Sequence, residues 1–211
     1  MAQLFWVAFI KGYSTTAGLI IAIGAQNAFI LRQGLIKSHV LVVALLASII
    51  DISMIYLGVK GLGFVIASND YLMLTTKYGG ILFLFFYGFK CFYSALFKSN
   101  SIEDTHITGK KSLSSTVITL LAMSFLNPHM YLDTILLIGT IGAQLPENQR
   151  LYYIAGASVA SIIWFFSLAY GSRLLTPIFQ KPIAWKILDT IIGIIMWSIA
   201  FSLYLYANTD K

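Results

Sequence analysis

The chain has 211 residues, of which 58% are hydrophobic and 10% charged, and a formal net charge of +6. Soluble domains carry about 25% charged residues, so this composition excludes a water-facing surface over most of the chain. A basic excess points to nucleic acid in a soluble protein. Here the cations sit in loops beside apolar runs, as positive-inside topology requires, and no nucleic-acid partner is expected.

The apolar runs are each near or above the roughly 20 residues that cross a bilayer as a helix. They are continuous and do not alternate with period two, which argues against a β-barrel. Spans are expected at 4–31, 39–66, 71–97, 113–140, 151–171 and 186–207. The first is read as an uncleaved helix, because no positive residue precedes its apolar run. The single cysteine, Cys91, falls in the third span and reads as an inert core residue. The stretch 98–112 is strongly polar and divides the chain into halves of about 1–97 and 113–207 within one transmembrane domain.

Loops 1–2, 3–4 and 5–6 carry Arg32, Lys37, Lys98, Lys110, Lys111, Arg173, Lys181 and Lys186, against Lys77, Arg150 and Lys211 on the other side. The richer side is expected in the cytoplasm, which places both termini outside. Lys11 and Lys60 are expected to snorkel to an interface. Trp185 and Tyr204 read as interface anchors, and Asp189 as a surface partner of Lys186.

An internal repeat supports the two halves. Ala47-Ser48-Ile49-Ile50 recurs as Ala160-Ser161-Ile162-Ile163, an offset of 113, and the same offset relates Gly58 to Gly171 and Gly80-Ile81 to Gly193-Ile194. Three spans per half is an odd number, so the second half enters the membrane inverted. The fold class expected is therefore all-α, with six transmembrane helices in two inverted three-helix repeats. Such repeats are characteristic of transporters, whose sites lie between the repeats near the midplane.

Polar residues at depth mark the candidate site. The first span, as one straight helix of 28 residues, would be about 42 Å long, beyond the roughly 30 Å hydrocarbon core. Gly24 is a permissive place for a break, and Gln26 and Asn27 follow it. In the fourth span Asn127-Pro128-His129 repeats the theme, since Pro128 removes a donor and frees a carbonyl near residue 124. Freed backbone at this depth is tolerated only inside protein or beside a water-filled cavity. Asp51 and Asp133 lie within the second and fourth spans. A charge there costs at least about 2.5–3.5 kcal/mol and usually lines a pathway or pairs with a cation. Tyr131 is placed at the same cavity, and His129 is a weaker candidate for proton relay. No metal-ligand cluster, Ser/His pair or Gly-x-Gly-Asp element stands beside the acids. No cofactor is expected, and an intramembrane two-aspartate enzyme is a remote alternative.

At these motifs the sequence resembles the lysine and arginine exporter family of bacteria, the LysE/ArgO group. The likeness runs through GAQNAFILRQG at 24–34, ASIIDISMIYLG at 47–58, FLNPHMYLDT at 125–134 and the segments between 161 and 197. Related exporters of neutral amino acids carry Pro-Gly-Pro and Asn-Pro-Lys where this chain has Gly24-Ala25-Gln26 and Asn127-Pro128-His129. The resemblance implies a multi-pass protein of the bacterial inner membrane that exports L-lysine, L-arginine or similar compounds, driven by the membrane potential or proton gradient. It carries over to Gln26, Asn27, Asp51, Asn127, Pro128 and Asp133. The alternative within transport is a neutral amino acid or a toxic analogue. The partners expected are that small solute and the lipid bilayer, and a homo-oligomer is left open.

Overall fold

The computed structural model describes residues 2–21, 24–61, 70–97, 112–127 and 130–209. Among them all regular secondary structure is helical. Helix α1 (Ala2–Ile20) is followed by α2 (Ala25–Leu35), α3 (Val40–Val59), α4 (Asp70–Phe97) and α5 (Leu113–Phe125). A π-helical segment, Tyr131–Ile138, leads straight into α6 (Gly139–Ala143). Then come α7 (Glu147–Gly171), two 3-10 turns (Ser172–Leu175 and Ile178–Gln180) and α8 (Pro182–Thr209).

Four helical stretches are long and apolar enough to cross a bilayer: Val40–Val59, Tyr78–Phe97, Glu147–Leu175 and Pro182–Ser202. The pair α1 and α2, bent by 82° at the break between them, is a broken span or a re-entrant loop. The stretch expected as the first span is thus two helices, and Gly24 is the residue that opens the second. The expected fourth span is likewise divided, into the apolar helix α5 and the apolar stretch Asp133–Ala143. Pro128 and His129 lie outside the described residues, as do the loop residues 98–111.

Packing follows the rule that polar and small residues face inward when the solvent is lipid. Trp6, Leu82, Phe86, Ile118 and Phe201 are exposed, whereas Ser48, Asp51, Ser124, Ser161 and Asp189 are buried. α7 is the central helix, with α1 along one side and α3 along another, while α4 and α8 pack lengthwise on each other. Glycines set the closest approaches. A Cβ at Gly156 would strike the Phe9 carbonyl of α1, and one at Gly12 would strike the Tyr153 carbonyl of α7. Gly34 of α2 sits against Ala169 and Ser172 at the end of α7, and Gly139 of α6 sits against Gly58 of α3. The main core joins Phe29, Ile30, Val43, Leu120, Phe165, Trp185 and Met196.

Two residues read as surface features are interior. Trp185 is buried, its indole N–H donating to the Phe179 carbonyl at 2.8 Å. Asp189 is completely buried and pairs at 2.9 Å with Arg32 of α2, not with Lys186. Arg32 also hydrogen-bonds Tyr87 of α4. One guanidinium therefore ties α2 to both members of the α4–α8 pair. Spacing alone favoured Lys186, one turn from Asp189, but a buried acid takes whichever cation the neighbouring helix presents.

Candidate translocation site

Each break leaves backbone carbonyls without a helical donor, and each is closed by a side chain from the next segment. Asn27 Nδ2 donates to the Ile20 carbonyl at 2.9 Å, across the gap between α1 and α2. The Tyr131 hydroxyl donates to the Phe125 carbonyl at 2.9 Å, across the gap after α5. The two breaks also meet. Ser124 in the last turn of α5 donates to Gln26 Oε1 in the first turn of α2 at 3.2 Å. The Trp164 indole of α7 donates to Asn27 Oδ1 at 3.4 Å, holding the first closure from the other side.

Between the breaks lies a cavity of about 280 Å³. Gly24, Gln26, Asn27, Asp51, Asn127 and Asp133 all line it. Thus six of the sequence-derived candidates share one wall system although they come from three separate stretches of chain. Tyr131 is not among the described lining residues; its hydroxyl is turned onto the Phe125 carbonyl instead.

Asp51 is reached by hydroxyls from two other elements. Ser161 of α7 donates to its Oδ2, and the Thr134 side chain of the π-helical segment also hydrogen-bonds it. Asp133 enters the cavity from the same segment, where the wider π turn re-aims side chains relative to an α-helix. The remaining wall is mixed, with Thr16, Leu19 and Ile20 of α1, Phe165 of α7 and Ile199 of α8. A cavity with two carboxylates, several amides and apolar panels suits a small cation bearing further polar groups. No cluster of metal-ligating residues occurs among the described residues.

Residues 17–207 match the LysE type translocator family. The chain belongs to this family. LysE-family relatives include arginine exporter proteins ArgO from Serratia proteamaculans and Yersinia enterocolitica, each 34% identical over 92% of this chain and 95% of the relative. The ArgO protein of Photorhabdus laumondii is 35% identical over 92% of this chain and 94% of its own length. No solved structure matches significantly. Family membership makes the chain a multi-pass membrane transporter and not an enzyme.

Sequence reasoning missed Thr16, Thr134, Ser161 and Trp164. Hydroxyls in membrane helices usually bond back to their own backbone, so Ser and Thr carry little signal by themselves. Ser161 did carry one, because it stands at the repeat offset from Ser48. Ser48 donates to the Ala44 carbonyl of its own helix, whereas Ser161 reaches Asp51 as well as Ala157.

Proposed function

We propose that this chain is a secondary exporter of basic amino acids, L-arginine and L-lysine, acting from the cytoplasm across the bacterial inner membrane. The observation that carries the reading is the convergence of Asp51 and Asp133 on one cavity at the meeting of two broken spans. Two acids match the cationic groups of such a substrate, and the names of the relatives point to the same class. Gln26, Asn127 and Asn27 offer amides for the α-amino and α-carboxylate groups, although Asn27 has one hydrogen bond engaged in closing its break. Moving a cation out of an inside-negative cell is uphill by about 2.3 kcal/mol per charge per 100 mV, so inward proton flow is the coupling expected.

The architecture that goes with this reading is six spans in two inverted halves, with both termini outside. Its support is the common offset of 113 and the division of one expected span in each half.

Efflux of labelled arginine and lysine from loaded proteoliposomes, with and without an imposed proton gradient, tests the function. Asp51→Asn and Asp133→Asn are each expected to abolish it. Intact efflux in both variants would remove the acids from the mechanism.

A further inference from the structure

An amino acid brings a carboxylate into a cavity that already contains two. Asp51 and Asp133 line it, and no Lys, Arg or His is among its described lining residues. At 6 Å and an effective dielectric near 20, one such pair of like charges repels by about 3 kcal/mol. A substrate carboxylate therefore needs a positive pole of its own, supplied by something other than a basic side chain.

Two features provide donors at that place. The first is the start of α2. Its first helical bond runs from Ala28 N to the Gly24 carbonyl at 3.0 Å, so the amides of residues 25–27 precede any helical acceptor. They carry the positive end of the helix dipole. Gly24, Gln26 and Asn27 line the cavity, and among the described residues a Cβ built on Gly24 would meet no atom within 4 Å.

The second is Thr16 of α1. It is wholly buried, it lines the same cavity, and its hydroxyl has no hydrogen-bond partner among the described residues. Helical hydroxyls ordinarily bond the carbonyl one turn back, as Ser48, Ser53, Thr119 and Ser158 do here. Thr16 does not. A buried hydroxyl left without a partner is unfavourable, and a bound anion relieves that.

We propose that the Thr16 hydroxyl and the N-terminal amides of α2 form a subsite for the substrate's α-carboxylate. The cavity then selects amino acids over the amines that remain when that carboxylate is removed. The inference rests on the export of basic amino acids proposed above and deepens it. The acids receive the cationic groups, while hydroxyl and amides receive the anionic one, so the orientation of the substrate is set as well.

The test uses the full chain in proteoliposomes, with labelled arginine as substrate and agmatine, its decarboxylated counterpart, as competitor. Wild type is expected to bind agmatine much more weakly than arginine. Thr16→Val is expected to raise the half-saturating arginine concentration about ten- to a hundredfold, the range for a lost hydrogen bond to a charged group. Inhibition by agmatine should stay unchanged, and Thr16→Ser should restore arginine affinity. Thermal stability of Thr16→Val should equal or exceed wild type, because the variant removes an unpartnered hydroxyl. Equal affinity of wild type for arginine and agmatine overturns the subsite. So does a Thr16→Val variant that weakens both ligands alike, or one that melts lower and loses arginine affinity only in proportion. Wild type that exports no basic amino acid at all overturns the functional reading and the subsite together, whereas intact export with any of the other outcomes overturns the subsite alone.

Discussion

Asp189→Asn is the most informative perturbation of the scaffold. Arg32 and Asp189 lie 2.9 Å apart, with the acid fully buried and the guanidinium 19% exposed. At that separation and an effective dielectric near 20, their attraction is about 6 kcal/mol. Desolvation offsets it at several kcal/mol per ion, so the intact pair is close to neutral for stability. Removing one partner is different, because the other charge stays buried and unpaired, at a cost of about 3–5 kcal/mol. For a chain of this size each kcal/mol moves the melting temperature by about 2–4 °C, so Asp189→Asn should melt roughly 10 °C below wild type in detergent. The double variant Arg32→Met with Asp189→Leu should recover most of that loss, since matched apolar residues satisfy the same volume. Thermal melting of purified protein, followed by tryptophan fluorescence, reads all three. If the single variant melts within about 2 °C of wild type, or the double variant is as unstable as the sum of two singles, the pair is not the tie between α2 and the α4–α8 unit.

Other expectations are more local. Gly156→Ala forces a methyl onto the Phe9 carbonyl, a backbone clash that should separate α1 from α7 and destabilise by about 1–3 kcal/mol; unchanged melting would refute that close approach. Tyr131→Phe leaves the Phe125 carbonyl unpaired, with an expected loss of about 1–3 kcal/mol and unaltered half-saturation for arginine. A shifted half-saturation would return Tyr131 to the cavity. Ser161→Ala removes a donor from Asp51 and should slow efflux severalfold, with Ser161→Thr retaining more activity; equal loss in both would mean packing and not the hydroxyl matters. A reporter at the C-terminus that works only in the cytoplasm should be silent, and an active fusion would reverse the proposed orientation.

What was legible in the sequence was polarity where lipid forbids it. Gly24, Gln26, Asn27, Asp51, Asn127 and Asp133 stand out against apolar neighbours, and the chain gathers them around one cavity. Four of the expected spans, at 39–66, 71–97, 151–171 and 186–207, were legible too, because length and hydropathy are summed locally. Relations between helices were not. Asp189 has Lys186 one turn before it, and nothing in the linear order shows that Arg32, more than 150 residues earlier, is nearer. A hydroxyl announces neither its partner nor the want of one: the bond by which Tyr131 closes a break was not legible, and Thr16 passed unnoticed although it lines the wall.

The divided spans also bear on how the protein is made. α2 has 11 residues and α5 has 13, so at 1.5 Å per residue they reach only about 16 Å and 20 Å, well short of a 30 Å core. Neither can leave the translocon as a stable membrane segment by itself. α3, α4, α7 and α8 can, and they supply the walls against which the half-helices settle. The cavity is then expected to form after these four helices are inserted. Damage to the closures at Asn27 and Tyr131 should show first as less protein reaching the membrane, before any change in the transport of what does.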